Sequence, residues 1–130
     1  MIVLDTHIWL WWIQQNAPAL KHGWVDLIAA ADQVGVSAIS CFEVAWLARH
    51  DRIHLSEPLE NWFDKALQGS GVDLLPVTPA IAQIAVELPE HHRDPQDRLI
   101  MATALHHQAR LISADGKFPL YLEMQGVLIQ

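Results

Sequence analysis

Residues 2–13 read Ile2-Val3-Leu4-Asp5-Thr6-His7-Ile8-Trp9-Leu10-Trp11-Trp12-Ile13. The first three form a short, continuous apolar run stopped by a carboxylate, the pattern of a strand buried on both faces. The residues after Asp5 are expected to be helical, with Thr6 as the cap and apolar residues on most sides until Asn16-Ala17-Pro18 breaks the helix. A strand feeding directly into a helix begins an alternation of strands and helices that continues along the chain, without an internal sequence repeat.

Working outward, Pro18 to Ala31 reads as a second helix and Gly35-Val36-Ser37-Ala38-Ile39 as a second strand. Ser40-Cys41-Phe42-Glu43 has the form of a capping box, which starts a third helix at Ser40 and puts Glu43 in its first turn. Glu57 to Leu67 gives a fourth helix closed by Gly69-Ser70-Gly71. Val72 to Val77 gives a third strand, and Pro79 opens a helix reaching Leu88. Asp94-Pro95-Gln96-Asp97 supplies a cap, a proline at the first helical position and an acid at the third, launching a helix through Ala109. Leu111-Ile112-Ser113 is the fourth strand, ending near Asp115, and Val127-Leu128-Ile129 suggests an edge strand. Strands alternating with helices imply parallel pairing with right-handed crossovers, which place helices on both faces. The expected fold class is α/β, a three-layer α/β/α sandwich around a four- to five-stranded parallel sheet.

The chain of 130 residues fits one domain, 1–130, with a single core. Its 52% apolar and 18% charged residues exclude a disordered or fibrous chain. The apolar start has no basic leading region and contains Asp5 and His7, so a cytoplasmic location is expected rather than export. No apolar run approaches the ~20 residues of a membrane helix. The single Cys41 excludes an internal disulfide and a thiolate-rich zinc site. A formal charge of −7 argues at face value against nucleic acid, whose phosphates are normally met by basic surface. The objection weakens if the carboxylates gather in one place and bind divalent cations. Arg49, Arg52, Arg93, Arg98 and Lys117 lie near the acidic motifs in sequence and are candidates for contact with a phosphate backbone.

In open α/β sheets, sites form outside the carboxyl ends of the strands. Asp5 follows the first strand, Asp115 the fourth, and Glu43 the second through its helix. The placement of Asp97 depends on the loop before it. Each acid alone has a plain structural role, Glu43 and Asp97 as dipole-favoured helix-start residues and Asp5 and Asp115 as turn residues. Helical spacing sets Glu43 beside Trp46 and Leu47, and Asp97 beside Ile100 and Met101. Carboxylates on a core-facing stripe are costly unless paired or bound to a cation. Two unit charges about 4 Å apart repel by about 4 kcal/mol at an effective dielectric near 20. If the four converge, a divalent cation is nearly implied, and oxygen ligands favour Mg²⁺ or Mn²⁺. Ions held so activate water for attack on a phosphodiester and stabilise the leaving oxygen, with no side-chain nucleophile needed.

Other signals are weaker. His91-His92 and His106-His107 are adjacent pairs that diverge by about 100° on a helix and are expected at the surface, and no HExxH spacing occurs. His7 stands nearest the acids. Walker, GxGxxG and GxSxG patterns are absent. The six tryptophans read as core or subunit interface rather than base-stacking surface, and surplus apolar surface favours a homodimer.

Leu4-Asp5-Thr6-His7, Ser37-Ala38-Ile39-Ser40 leading to Glu43, Asp94-Pro95-Gln96-Asp97-Arg98-Leu99-Ile100, and Ser113-Ala114-Asp115 occur in this order over nearly the whole chain. Together they resemble PIN-domain toxins of the VapC type. The resemblance implies a Mg²⁺- or Mn²⁺-dependent endoribonuclease, a dimer held inactive by an antitoxin, with structured RNA such as tRNA as substrate. By motif position, Asp5, Glu43, Asp97 and Asp115 are the acidic quartet, with Thr6, Asp94 and Ser113 as accessories. The segment Gly116-Lys117-Phe118 departs from the pattern and bears on the outer cleft only. Two other readings are a receiver-like Mg²⁺-binding phosphoacceptor and a non-catalytic scaffold of the same fold. The first would need paired acids after the first strand and an acid after the third, where this chain has a lone Asp5 and Pro76. The second would not need all four acids.

Overall fold

The computed structural model describes residues 1–15 and 17–130. Five parallel strands form the sheet: β1 (Ile2–Leu4), β2 (Val34–Ser37), β3 (Val72–Leu75), β4 (Arg110–Ile112) and β5 (Leu128–Ile129). Their order is β3-β2-β1-β4-β5, with β1 central and paired to β2 and β4. Six helices surround it: α1 (Thr6–Gln14), α2 (His22–Ala30), α3 (Ala38–Arg49), α4 (Leu59–Ala66), α5 (Pro79–Glu87) and α6 (Pro95–His106). No helix is long and apolar enough to cross a membrane among the described residues.

The period-2 alternation of β1 divides the core. Ile2 and Leu4 face one layer with Val36, Ile112, and Ile8, Trp9, Trp24, Ile28 and Trp62 from α1, α2 and α4. Val3 and Leu111 face the other, with Ile100, Met101 and Ala104 of α6, Phe118, Tyr121 and Met124. The expected three-layer sandwich and parallel sheet are both present. Trp9 is fully buried, and its indole N–H donates to the Ala66 carbonyl at 3.0 Å, tying α1 to α4.

Several boundaries differ from the sequence reading for local reasons. Asp5, not Thr6, caps α1, its side chain accepting from the Thr6 amide. The helix ends at Gln14, with Gln15 in the left-handed region at φ 62; of the expected break, Asn16 lies outside the described residues. The second helix begins at His22 rather than Pro18. The third starts before the expected cap: the Ser37 hydroxyl accepts from the Ile39 amide, so Ala38 and Ile39 are helical. Ser40 and Glu43 therefore lie inside α3, and no Ser40–Glu43 capping box forms. The start of α6 is as expected, with Asp94 accepting from the Gln96 amide at 2.9 Å and Pro95 first in the helix, but the helix stops at His106 rather than Ala109.

Strand order matters most for function. The chain runs from β1 outward through β2 to β3, crosses back to β4, and leaves in the opposite direction to β5. The direction of winding reverses between β1 and β4, and a crevice opens at their carboxyl ends.

Candidate active site

Asp5 leaves β1 into this crevice, and Ser113 and Asp115 leave β4 beside it. The Asp5 carboxylate is almost buried and accepts two hydrogen bonds, from the Thr6 amide at 2.8 Å and from the Ser113 hydroxyl at 2.7 Å. The Ser113 oxygen in turn accepts from the Asp115 amide at 3.0 Å, so one serine links the two strand-end acids. The Thr6 hydroxyl sits within hydrogen-bonding reach of Ser40 Oγ at 2.8 Å and Glu43 Oε1 at 3.1 Å. Glu43 thus enters the cluster from the second turn of α3 through Thr6. Asp97, in the first turn of α6, closes the other side.

The electrostatics agree with this convergence. Burial raises the Asp5 carboxyl above the ordinary range, against the lowering effect of its Ser113 and Thr6 hydrogen bonds. Burial, then the Asp97 charge, pushes Glu43 up to about 7, with Asp5 and Asp94 adding to the rise. Asp97 is also pushed up to about 7, by burial first and then by Asp5, Asp94 and Asp115, with His92 opposing. Carboxylates driven towards protonation by one another form a site that a divalent cation would relieve. The donor set fits such an ion: ligand atoms of His92, Asp97 and Asp115 lie within 4.8 Å of one another, and Asp5 and Glu43 border them electrostatically.

All four members of the quartet come to one crevice. Thr6 and Ser113 both hydrogen-bond to it. Asp94 is the α6 cap, on the outer side. The apolar surroundings expected for Asp97 are present, since Ile100 and Met101 are fully buried. Those expected for Glu43 are not a core stripe: Trp46 is 43% exposed and Leu47 half-buried. With Phe42, Asp94, Pro95 and Gln96 they line an open cavity of about 420 Å³ beside Glu43. The tryptophans divide accordingly, with Trp9, Trp24 and Trp62 in the core, Trp11 and Trp12 half-buried, and Trp46 at the surface.

The basic residues also divide. Arg52 lies with its guanidinium 6.0 Å from the Trp46 ring and is exposed, as are Arg49, Arg93 and Lys117. Arg98 is a correction. Its guanidinium donates to the carbonyls of Val86, Leu88, Pro89 and His92 at 2.6–3.2 Å, so it closes the carboxyl end of α5 and the following loop instead of edging a cleft. The sequence reading missed His92. Expected at the surface, it is 11% exposed by side chain, with Nε2 2.5 Å from Asp97 Oδ2 and 3.6 Å from Asp115 Oδ2. The available signal was its position two residues before the α6 cap, in the loop that delivers Asp97. His7 is exposed and lines a separate cavity with Trp11, His54 and Glu57.

Comparison with known proteins agrees with this architecture. The PIN domain family model matches residues 2–121. Ribonuclease VapC22 of Mycobacterium tuberculosis (strain ATCC 25618 / H37Rv) is 39% identical over 117 residues, 89% of this chain and 88% of that protein. Among solved structures, VapBC2 from Rickettsia felis bound to a DNA fragment from its promoter superposes with a TM-score of 0.72 at 18% identity, covering 99% of this chain and 98% of that one. A toxin–antitoxin complex from Klebsiella pneumoniae superposes with a TM-score of 0.71 at 22% identity, covering 100% and 97%. With a family model spanning most of the chain and a relative this similar, the chain belongs to the PIN-domain family.

Proposed function

We propose that this protein is a divalent-metal-dependent endoribonuclease, the toxin of a toxin–antitoxin pair, which hydrolyses phosphodiester bonds in structured RNA such as tRNA. The observation that carries this reading is the convergence of Asp5, Glu43, Asp97 and Asp115 at the switch point of the sheet, where each carboxyl faces the charge of another. The resemblance to a named ribonuclease over most of the chain gives it the substrate class.

Asp97 and Asp115, with Asp5 behind them, would hold Mg²⁺ or Mn²⁺. A bound ion supplies charge for the scissile phosphate and a water of lowered pKa. The protein's own part is positional. Ser113 and the Thr6 amide fix the Asp5 carboxylate, and the Thr6 hydroxyl holds Glu43 against the same centre. Outside the acids, the cavity beside Glu43 offers the exposed Phe42 ring, next to a Trp46 that is stacked on His50 and has Arg52 near it, a surface suited to a base and its phosphate next to the cut. Arg49 and Lys117 extend the basic rim. Asp5, Glu43, Asp94, Asp97 and Asp115 are five of the 15 acidic residues, so cation binding here removes much of the negative field that would repel RNA.

A cognate antitoxin is the expected protein partner, as the compared toxin–antitoxin assemblies suggest. A homodimer is expected from exposed apolar residues including Val86, Leu120 and Leu122. The test is end-mapped cleavage of total cellular RNA in Mg²⁺ or Mn²⁺, with wild type beside Asp5→Asn. Discrete new ends are expected from the wild type alone, and loss of them in chelator. Equal cleavage by Asp5→Asn, or in chelator, would refute the reading.

A further inference from the structure

His92 is held from three directions. Its amide donates to the buried Tyr121 hydroxyl at 2.7 Å, and its carbonyl accepts from that hydroxyl at 3.3 Å and from Arg98 Nη1 at 3.2 Å. Its ring lies against Phe118, with centroids 6.4 Å apart. A loop histidine with both backbone groups bonded and a side chain only 11% exposed is built into its position. That position aims Nε2 at the gap between two carboxylates on different elements, Asp97 of α6 and Asp115 after β4. A ring nitrogen whose only task was a hydrogen bond would need one partner. Here Nε2 has two carboxylates in reach, and the three donor atoms lie within 4.8 Å of one another, close enough to share one ion.

We propose that His92 is a direct metal ligand, making the centre a mixed nitrogen–oxygen site that prefers Mn²⁺ and later divalent ions to Mg²⁺. The inference rests on the metal-dependent reading above and names the ion that this particular chain selects. Mg²⁺ favours oxygen ligands and retained waters, whereas imidazole nitrogen gains along the series from Mn²⁺ onward. Ligation through Nε2 requires the ring proton to sit on Nδ1. That tautomer gives up the Nε2–H contact with Asp97 Oδ2 as well as the long 3.5 Å approach of the exposed Asp94 amide to Nδ1, so the ion has to replace the proton between the ring and the two carboxylates.

The test binds Mn²⁺ and, separately, Mg²⁺ to the full-length protein without RNA, by isothermal titration calorimetry, and records pulsed EPR of the Mn²⁺ complex. Wild type is expected to show nitrogen modulation from a coordinated imidazole. His92→Ala and His92→Gln should lose that signal and bind Mn²⁺ about 10- to 100-fold more weakly, with Mg²⁺ binding nearly unchanged. The EPR experiment on wild type needs no variant and stands if the variants fold poorly. Absence of nitrogen coupling, equal loss for both ions, or tighter binding in His92→Ala, as for a ring that blocks the site, overturns the assignment. Asp97→Asn separates the two claims. If it abolishes binding of both ions while His92→Ala changes neither, only the ligand assignment falls; if wild type binds neither ion, the metal-dependent reading falls with it.

Discussion

Asp97, proposed above as a metal ligand, holds its place at a cost to the metal-free fold. Buried beside Ile100 and Met101 and facing Asp5, Asp94 and Asp115, it is pushed up to about 7, as is Glu43. Both bind a proton more tightly in the folded, metal-free chain than in the unfolded one, where such groups titrate near about 4. The linked stability is complete below about pH 4 and is lost as the pH rises through about 7. Calorimetry in chelator should therefore give a melting temperature that falls from about pH 5 to about pH 8. Asp97→Asn should flatten that fall and melt higher than wild type at the alkaline end in chelator. The same variant should cleave RNA more than about 100-fold slower, beyond what disturbing the mere partners of metal ligands costs. A variant that lost stability and kept activity would contradict both expectations. At this scale the sequence picked out four acids that the fold gathers and was silent about His92. Nothing in the pair His91-His92 shows which ring turns inward, because Tyr121 and Arg98, outside the pair, decide it.

The elements carry a different set of errors and consequences. Helix α3 begins where Ser37 caps it, ahead of the Ser40 box, because a serine at the end of a strand competes for the same role. That shift moves Glu43 further along α3 and frees Ser40 to meet Thr6. Arg98 ties α6 to the end of α5 through four carbonyls, and so sets the loop that carries His92. Arg98→Met should lower stability by about 1–3 kcal/mol, read by urea denaturation, and slow cleavage without abolishing it. Arg98→Lys should recover little of either, since one ammonium cannot fork to separate carbonyls. In β2, a Cβ on Gly35 would meet Leu75 Cδ1 at 2.7 Å and Cγ at 2.9 Å, with the Asp73 carbonyl oxygen at 3.3 Å. Gly35→Ala should cost about 1–3 kcal/mol by the same measurement, and less in a Leu75→Ala background.

For the molecule as a whole, the proposed metal binding would be linked to stability, because the unfolded chain does not gather these carboxylates. Saturating Mn²⁺ at about 100 times its dissociation constant should add about 2.7 kcal/mol, seen as a concentration-dependent rise in melting temperature that is larger at about pH 8 than at about pH 5 and absent in Asp97→Asn. An equal rise in the variant would place the ion elsewhere. The alternation of short apolar runs with capped helices, and an acid after the runs that became β1 and β4, were properties of the sequence alone. They specified the α/β class and the parallel pairing, because periodicity and capping act over a few residues. Three things waited for the tertiary structure: the order β3-β2-β1-β4-β5 that sets Asp5 beside Asp115, the loop that brings Asp97 and His92 to the same crevice, and the exposure of Trp46 beside it. Each depends on which faces bury one another across the sheet, a choice made by packing among residues far apart in the chain and not written into any local pattern.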